Sequence, residues 1–459
     1  IPNINGIELT GLETNKTHQI RITPVNDPTP GWGNAFGHFI YTNGANSQTN
    51  KDKFISIDAP LTTMAFAPNE GSTSAATMFA YTFYDCTNLT TPAKIVDTYK
   101  LLEVTDLSWF LFGIHAGNTS LTSPIDLSNI SGWFNGNTSI TNLSDFLGGT
   151  HAGNTSLTSP IDLSNISGWF NGNTSIANMS DFLYQTHSGN TTLEDPIILP
   201  WWFIGNTSLT ELSNFLHGTH TGNTSLTSPI DFSNISGWFN GNTSITNLSY
   251  FLYQTHSDNT TLKDPIILPG WFIGNTSLTN LSVFLYSTHT GNTSLTSPID
   301  LSNISGWFNW NTSITNMSNF LVKTHQDNSK LEDPIDLSNI SGWFNGNTSI
   351  TNLLGFLYGT HYNNKALNLT GQKIFPNWIK TLTQGATPIK DVPEAFCRMF
   401  LLYPAQGGDT GEPEFEDDID PNTSSITKLS DLGNPSTPKY TYQGRTVITS
   451  NLPTDSNWK

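Results

Sequence analysis

Eight histidines recur in register at His115, His151, His187, His220, His256, His289, His325 and His361, spaced by 36, 36, 33, 36, 33, 36 and 36 residues. Imidazole is a common metal ligand and changes charge near neutral pH, so a column of this kind could hold metal ions or make stability depend on pH. Two histidines sharing one zinc must bring their nitrogens within about 4 Å. If successive histidines stand two solenoid coils apart, they lie about 10 Å from one another. The spacing therefore points to a structural ladder that includes His151 and His187.

Other residue sets carry their own chemistry. Seven tryptophans, among them Trp133, Trp169 and Trp238, each precede a phenylalanine (Trp-Phe) and keep the same period. In an extended segment neighbouring side chains face opposite ways, so one ring of each pair is expected inside and the other outside, where it could stack on a sugar. The acid-rich stretch with Asp409, Glu414, Asp417, Asp418 and Asp420 could take calcium through carboxylate oxygens, although it lacks the EF-hand glycine spacing. The chain has 27 Asn-x-Ser/Thr sequons, a density that follows from the repeat. Asparagines such as Asn118 and Asn154 are expected in an inner ladder. The Asn-Ile-Ser set, Asn129, Asn165, Asn234, Asn303 and Asn339, falls in a loop that two units lack and is the better glycan acceptor. No nucleophile, base and oxyanion arrangement stands apart from the repeated residues, and residues copied in every unit usually serve a ladder, so no enzyme is expected.

The elements that position these residues are set by the repeat. Trp133 opens a block that restarts at Trp169 almost unchanged, the pattern of a tandem array. The two 33-residue steps occur where Leu-Ser-Asn-Ile-Ser-Gly-Trp-Phe becomes Leu-Pro-Trp-Trp-Phe or Leu-Pro-Gly-Trp-Phe, so the deletion is expected in an exposed loop. Within a unit, Asn137-Thr-Ser-Ile is echoed 17 residues later by Asn154-Thr-Ser-Leu. The echo suggests two coils of about 18 residues per unit, some fifteen coils, and a rod on the order of 70 Å. Leu-Thr-Ser-Pro-Ile-Asp-Leu suggests a short strand and Asn-Leu-Ser-Asp-Phe-Leu a helical turn.

The expected fold is thus a repeat solenoid, leucine-rich-repeat-like, of short strands plus short helical turns. Residues 1–67 alternate apolar with polar residues between Asn, Asp, Gly and Pro clusters, as an N-terminal all-β module would. Residues 68–403 form the solenoid of double-coil 33/36-residue repeats. In 404–459 an acidic loop leads to a C-terminal hairpin cap turning through Gln443-Gly444. Cys86 and Cys397 fall on opposite sides of the array, too far apart to bridge. Cys86 aligns by sequence with the ladder Asn118 and Asn154.

The stretch Thr-Ser-Ile-Thr-Asn-Met-Ser-Asn-Phe-Leu at 312–321, with counterparts from 138, 174, 243 and 348, resembles the BspA-like leucine-rich repeats and the related repeats of mycoplasma-type surface lipoproteins. The resemblance covers roughly residues 78–403. It departs from that pattern in its histidine, where many members carry an aromatic residue, and in its 36-residue unit. The resemblance implies a cell-surface adhesive or structural protein.

Composition narrows the partners. Only 12% of residues are charged and the net charge is −18, so nucleic acid and anionic membrane, which need clustered cations, are disfavoured. No apolar run approaches the roughly 20 residues of a membrane span. The chain begins at Ile1, consistent with removal of a leader. Together these features predict an extracellular, non-enzymatic surface protein whose partner is another protein or a glycan. Two alternatives remain open, a filament protomer joined through terminal strands at residues 4–12 and 440–450, and a carbohydrate-binding protein.

Overall fold

A computed structural model describes residues 79–367, except 81, 93, 95–97, 236, 240, 308–310 and 345–348, together with four short strands beyond them. The N-terminal β module, Cys397 and the acidic residues Asp409, Asp417, Asp418 and Asp420 lie outside the described residues.

Backbone hydrogen bonds set the register of the array. The amides of Leu107, Trp109, Leu111 and Gly113 donate to the carbonyls of Asn142, Ser144, Phe146 and Gly148, each one unit ahead. Parallel bridges link Asp106 to Asn142, Asn142 to Asn178 and so on to Asn352, one per coil. Every unit is therefore one coil, not the two that the echo suggested. Asn137 and Asn154 are two corners of the same turn of the solenoid. In each, the side-chain Oδ1 accepts backbone amides two and three residues ahead, Ser139 and Ile140 or Ser156 and Leu157. The halved coil number also shortens the rod, to on the order of 40 Å for eight regular coils at strand spacing.

The stretch expected to be a helical turn is instead a ribbon of overlapping turns. Phe146 donates to Leu143, Gly148 to Asp145, Thr150 to Leu147 and Ala152 to Gly149, while the intervening amides point along the stack. Turning alternate amides outward requires left-handed residues, and Asp145, Gly149, His151 and Gly153 have φ of 56°, 64°, 59° and 68°. Left-handed backbone costs a non-glycine residue about 1–2 kcal/mol, which inter-coil hydrogen bonding must offset. The expected strand around Pro124 or Pro160 does not form; sheet pairing within the array is confined to the isolated bridges among the described residues.

The core runs down the inside of these coils. Phe110, Phe146, Phe182, Phe215, Phe251, Phe284, Phe320 and Phe356 stack at centroid separations of 5.2–5.7 Å, within 21° of parallel. Both members of the Trp-Phe pairs are buried: Trp133 and Phe134, Trp169 and Phe170, Trp238 and Phe239 all lie inside. The expectation of one ring outside fails because the pair sits in a tight turn, closed by Asn137 N–H to Phe134 O, rather than in an extended strand.

The three-residue deletion is not confined to exposed loop. Ser128–Ile130, Ser164–Ile166 and Ser233–Ile235 are single 3-10 turns whose isoleucines are buried, and the longer Ser302–Trp307 and Ser338–Phe344 bury Ile304 and Ile340 in the same place. In the two short units a proline takes over this position.

Cys86 stands level with Ile114 rather than with the ladder asparagines, because Asp85 N–H donates to Phe112 O as Gly113 N–H does to Gly148 O. Its side chain is buried, with Sγ directed at Tyr84 O. Beyond the array, β1 (Lys373–Phe375) pairs in parallel with β2 (Glu414–Phe415), placing a strand inside the stretch expected to be an acidic loop. β3 (Thr441–Tyr442) and β4 (Arg445–Thr446) pair antiparallel with Tyr442 opposite Arg445; residues 443 and 444 lie outside the described residues.

Candidate functional site

In four successive coils the residue after the Phe-Leu pair, Tyr184, His217, Tyr253 and Tyr286, reaches the outside of the turn ribbon and forms an aromatic ladder, whereas Val322 in the next coil is buried. Tyr184 meets His217 edge-on at 4.8 Å, His217 meets Tyr253 at 4.5 Å, and Tyr253 meets Tyr286 at 5.0 Å. Tyr250, two residues before Leu252, lies 5.5 Å from Tyr253 and 6.4 Å over His217, and is 40% exposed. Tyr184, His217, Tyr253 and Tyr286 are half-buried, so each ring is held by its neighbours while an edge stays in water.

The column that carries Tyr250 runs through Trp109, two acids and Asn214 before reaching it. Asp145 and Asp181 stand one above the other in adjacent coils, both half-buried beside Tyr184. Burial, and then the charge on Asp181, pushes the Asp145 carboxyl up to about 7. Burial raises Asp181 as well, against a hydrogen bond from Asn214. Asn214 Oδ1 in turn stands 3.2 Å from His217 Nδ1, and burial lowers that imidazole to about 4. Tyr184 is raised by burial, then by Asp181 and Asp145. Residues 79–367 as a whole hold nineteen carboxylates against six lysines and no arginine, so cations are scarce around this face.

The residues singled out from sequence lie elsewhere, mostly inside. His151 and His187 belong to a buried stack whose neighbouring centroids are 4.9–6.1 Å apart, about half the separation that double coils implied. Among the described residues no three His, Cys, Asp or Glu side chains gather as metal ligands would. Asn154 is fully buried and its Nδ2 donates to Leu121 O at 3.1 Å; Asn118 is half-buried and donates to Thr87 O and Asn88 Oδ1. Trp169 donates its indole N–H to Ile130 O, and Trp238 to Pro200 O; Trp133 is buried beside Phe79 and Phe83. With all of these indoles enclosed, they form no sugar-stacking face.

Among the sequons, Asn303 is exposed, whereas Asn129, Asn165, Asn234 and Asn339 are half-buried. Asn129 Nδ2 donates to Pro92 O and Asn339 Nδ2 to Asp336 Oδ2, so their amides are already engaged. Of the acid-rich candidates only Glu414 is described, in β2.

Two surface features escaped the sequence reading. The aromatic ladder left only a weak signal, the residue that varies after Phe-Leu, and which way that residue points depends on the turn ribbon. The two short units also expose Ile198, Trp201 and Ile204, and Ile267 and Ile273. There isoleucine replaces the aspartate that in longer units accepts a backbone amide at the head of the 3-10 turn, as Asp126 does from Ser128.

No protein-family model matches the chain, and no curated protein does. Among solved structures, a plant peptide hormone receptor, RGFR1 in complex with RGF2, is similar at 12% identity with a TM-score of 0.18, over 66% of this chain and 55% of that one. This chain therefore spans little more than half of the receptor chain. At that TM-score the likeness is slight, and the solenoid rests on the chain's own hydrogen-bond register. Among the described residues no helix is long and apolar enough to cross a membrane.

Proposed function

We propose that this chain is a non-enzymatic, extracellular repeat protein that adheres to a partner protein presenting basic side chains, with the ladder Tyr184, His217, Tyr250, Tyr253 and Tyr286 and the adjoining Asp145 and Asp181 as its docking face. The observation that carries this reading is the ladder itself. Aromatic rings supply large, stiff contact area at little entropic cost, and rings already packed on one another are pre-organised for a partner. Lysine or arginine can lie over a tyrosine ring and reach a carboxylate in the same stroke. The excess of acid over base in the array supplies the charge complementarity. The resemblance to BspA-like surface repeats fits an adhesive role.

The test is to probe arrays of extracellular proteins and basic peptides, alongside a glycan array, with the full chain and with a Tyr250→Ala/Tyr253→Ala double variant. Binding to a basic protein that falls at least tenfold in the variant, with an unchanged melt, supports the reading. A ligand bound equally by both, a glycan in place of a protein, or no ligand at all refutes it.

A further inference from the structure

The buried histidine stack has a hydrogen-bond arrangement that admits one charge state. The backbone amides of Ile161, Ile197, Ile230, Ile266, Ile299 and Ile335 donate to the Nε2 atoms of His187, His220, His256, His289, His325 and His361 at 3.1–3.3 Å. A backbone amide can only donate, so Nε2 must carry a lone pair. Each of these rings is the neutral Nδ1–H tautomer, and a second proton would destroy the bond. At the N-terminal end the order reverses: His115 Nε2 lies 2.7 Å from Leu89 O, which makes it the donor. His151, between the two kinds, has no hydrogen-bond partner at either nitrogen among the described residues.

Nothing nearby would compensate a charge. The rings are wholly buried and stacked on one another, and the only charges acting on any of them, among the described residues, are the imidazoles of neighbouring rungs. Among the described residues no carboxylate acts on the stack. A proton on one rung therefore loses an inter-coil bond and repels the next rung 5–6 Å away.

We propose that this stack is an acid trigger: the solenoid holds only while its imidazoles are neutral, and mild acid opens the array cooperatively. The proposal does not depend on the docking face. Burial lowers all eight rings below their ordinary 6.5, with His220, His289 and His361 near 3. For a group depressed in the folded state, stability is complete above the unfolded value of 6.5. It declines as pH falls towards the folded value, because the unfolded chain takes up protons that the folded chain refuses. Each such ring multiplies the unfolding constant by about tenfold per pH unit in that window. With eight rings acting together, one or two units of acidification overwhelm the stability of an ordinary domain.

The experiment uses the full chain in two measurements. Histidine-selective 15N NMR from pH 8 to 4 should show the six Nε2-acceptor rings as Nδ1–H tautomers whose shifts do not titrate while the fold persists. Urea unfolding across the same range should show a steep fall in midpoint below about pH 6.5. A His220→Gln/His256→Gln variant should lower the number of protons taken up on unfolding by about two and move the acid transition to lower pH. Folded-state titration of the stack near 6.5, or a fold that persists unchanged to pH 4, overturns the proposal. So does a folded variant with the parent's acid transition. Should the variant not fold, the parent's NMR titration decides.

Discussion

The indole Nε1–H of Trp238 donates to the carbonyl of Pro200 in the preceding coil at 3.1 Å, the same bond that Trp202 makes to Ile166. A proline and a 3-10 isoleucine thus serve one purpose, holding a carbonyl where the next tryptophan can reach it. Trp271, by contrast, is buried with no partner at Nε1 among the described residues. Trp238→Phe should cost more than Trp271→Phe, by about 1–2 kcal/mol, since the first loses a buried hydrogen bond, although Pro200 O keeps the Trp202 amide, and the second removes a buried donor that makes none. Paired urea melts measure the difference, and equal losses would mean that the indole bonds contribute nothing net.

The same equivalence predicts which deletion the array tolerates. Replacing the four residues Ser164, Asn165, Ile166 and Ser167 by one proline reproduces the Leu-Pro-Gly-Trp of 268–271 and should keep unfolding cooperative. Deleting Ser164, Asn165 and Ile166 alone removes a buried isoleucine and the Trp202 acceptor with no substitute. It should cost on the order of 2–5 kcal/mol more. Indistinguishable urea midpoints would place this segment outside the core.

Asn154 ties two coils with one side chain, accepting from Ser156 and Leu157 and donating to Leu121. Asn154→Ala should destabilise by about 1–3 kcal/mol by stranding these groups, whereas Thr155→Ala, at an exposed position, should stay within about 0.5 kcal/mol. A pair of variants that melt alike would remove the asparagine ladder from the account of stability.

Gln185 and Gln254 hold φ of 52° and 55° at a position where other coils have Gly113, Gly149, Gly218 and Gly359. Gln185→Gly should therefore stabilise, by up to about 1 kcal/mol, because relief of left-handed strain exceeds the entropy that glycine adds to the unfolded chain. A lower midpoint for this variant would show that the Gln185 side chain, which lies against Gly218, contributes more than its backbone costs.

Period, unit boundaries and the identity of the repeated Asn, His and Trp positions were legible in the sequence because solenoid packing demands one residue type per column, and the demand is copied with every unit. The antiparallel pairing of Tyr442 with Arg445 was legible too, since Gln443-Gly444 between them is a local turn signal in the sequence. The number of coils per unit was not. Two Asx corners per unit, Asn137 and Asn154, produce the same echo whether the chain closes every 18 residues or every 36, and inter-coil bonds such as that from Leu107 to Asn142 separate the two. Side-chain direction was hidden for a related reason. Alternation between faces holds for extended backbone, but Phe203, at φ 53°, and the ribbon from Leu143 to Asn154 are built from turns, which swing both Trp202 and Phe203 inward and Tyr184 outward. Those turns persist because the next coil accepts the amides they aim along the stack, a condition set by the neighbouring coil and absent from any single stretch of sequence.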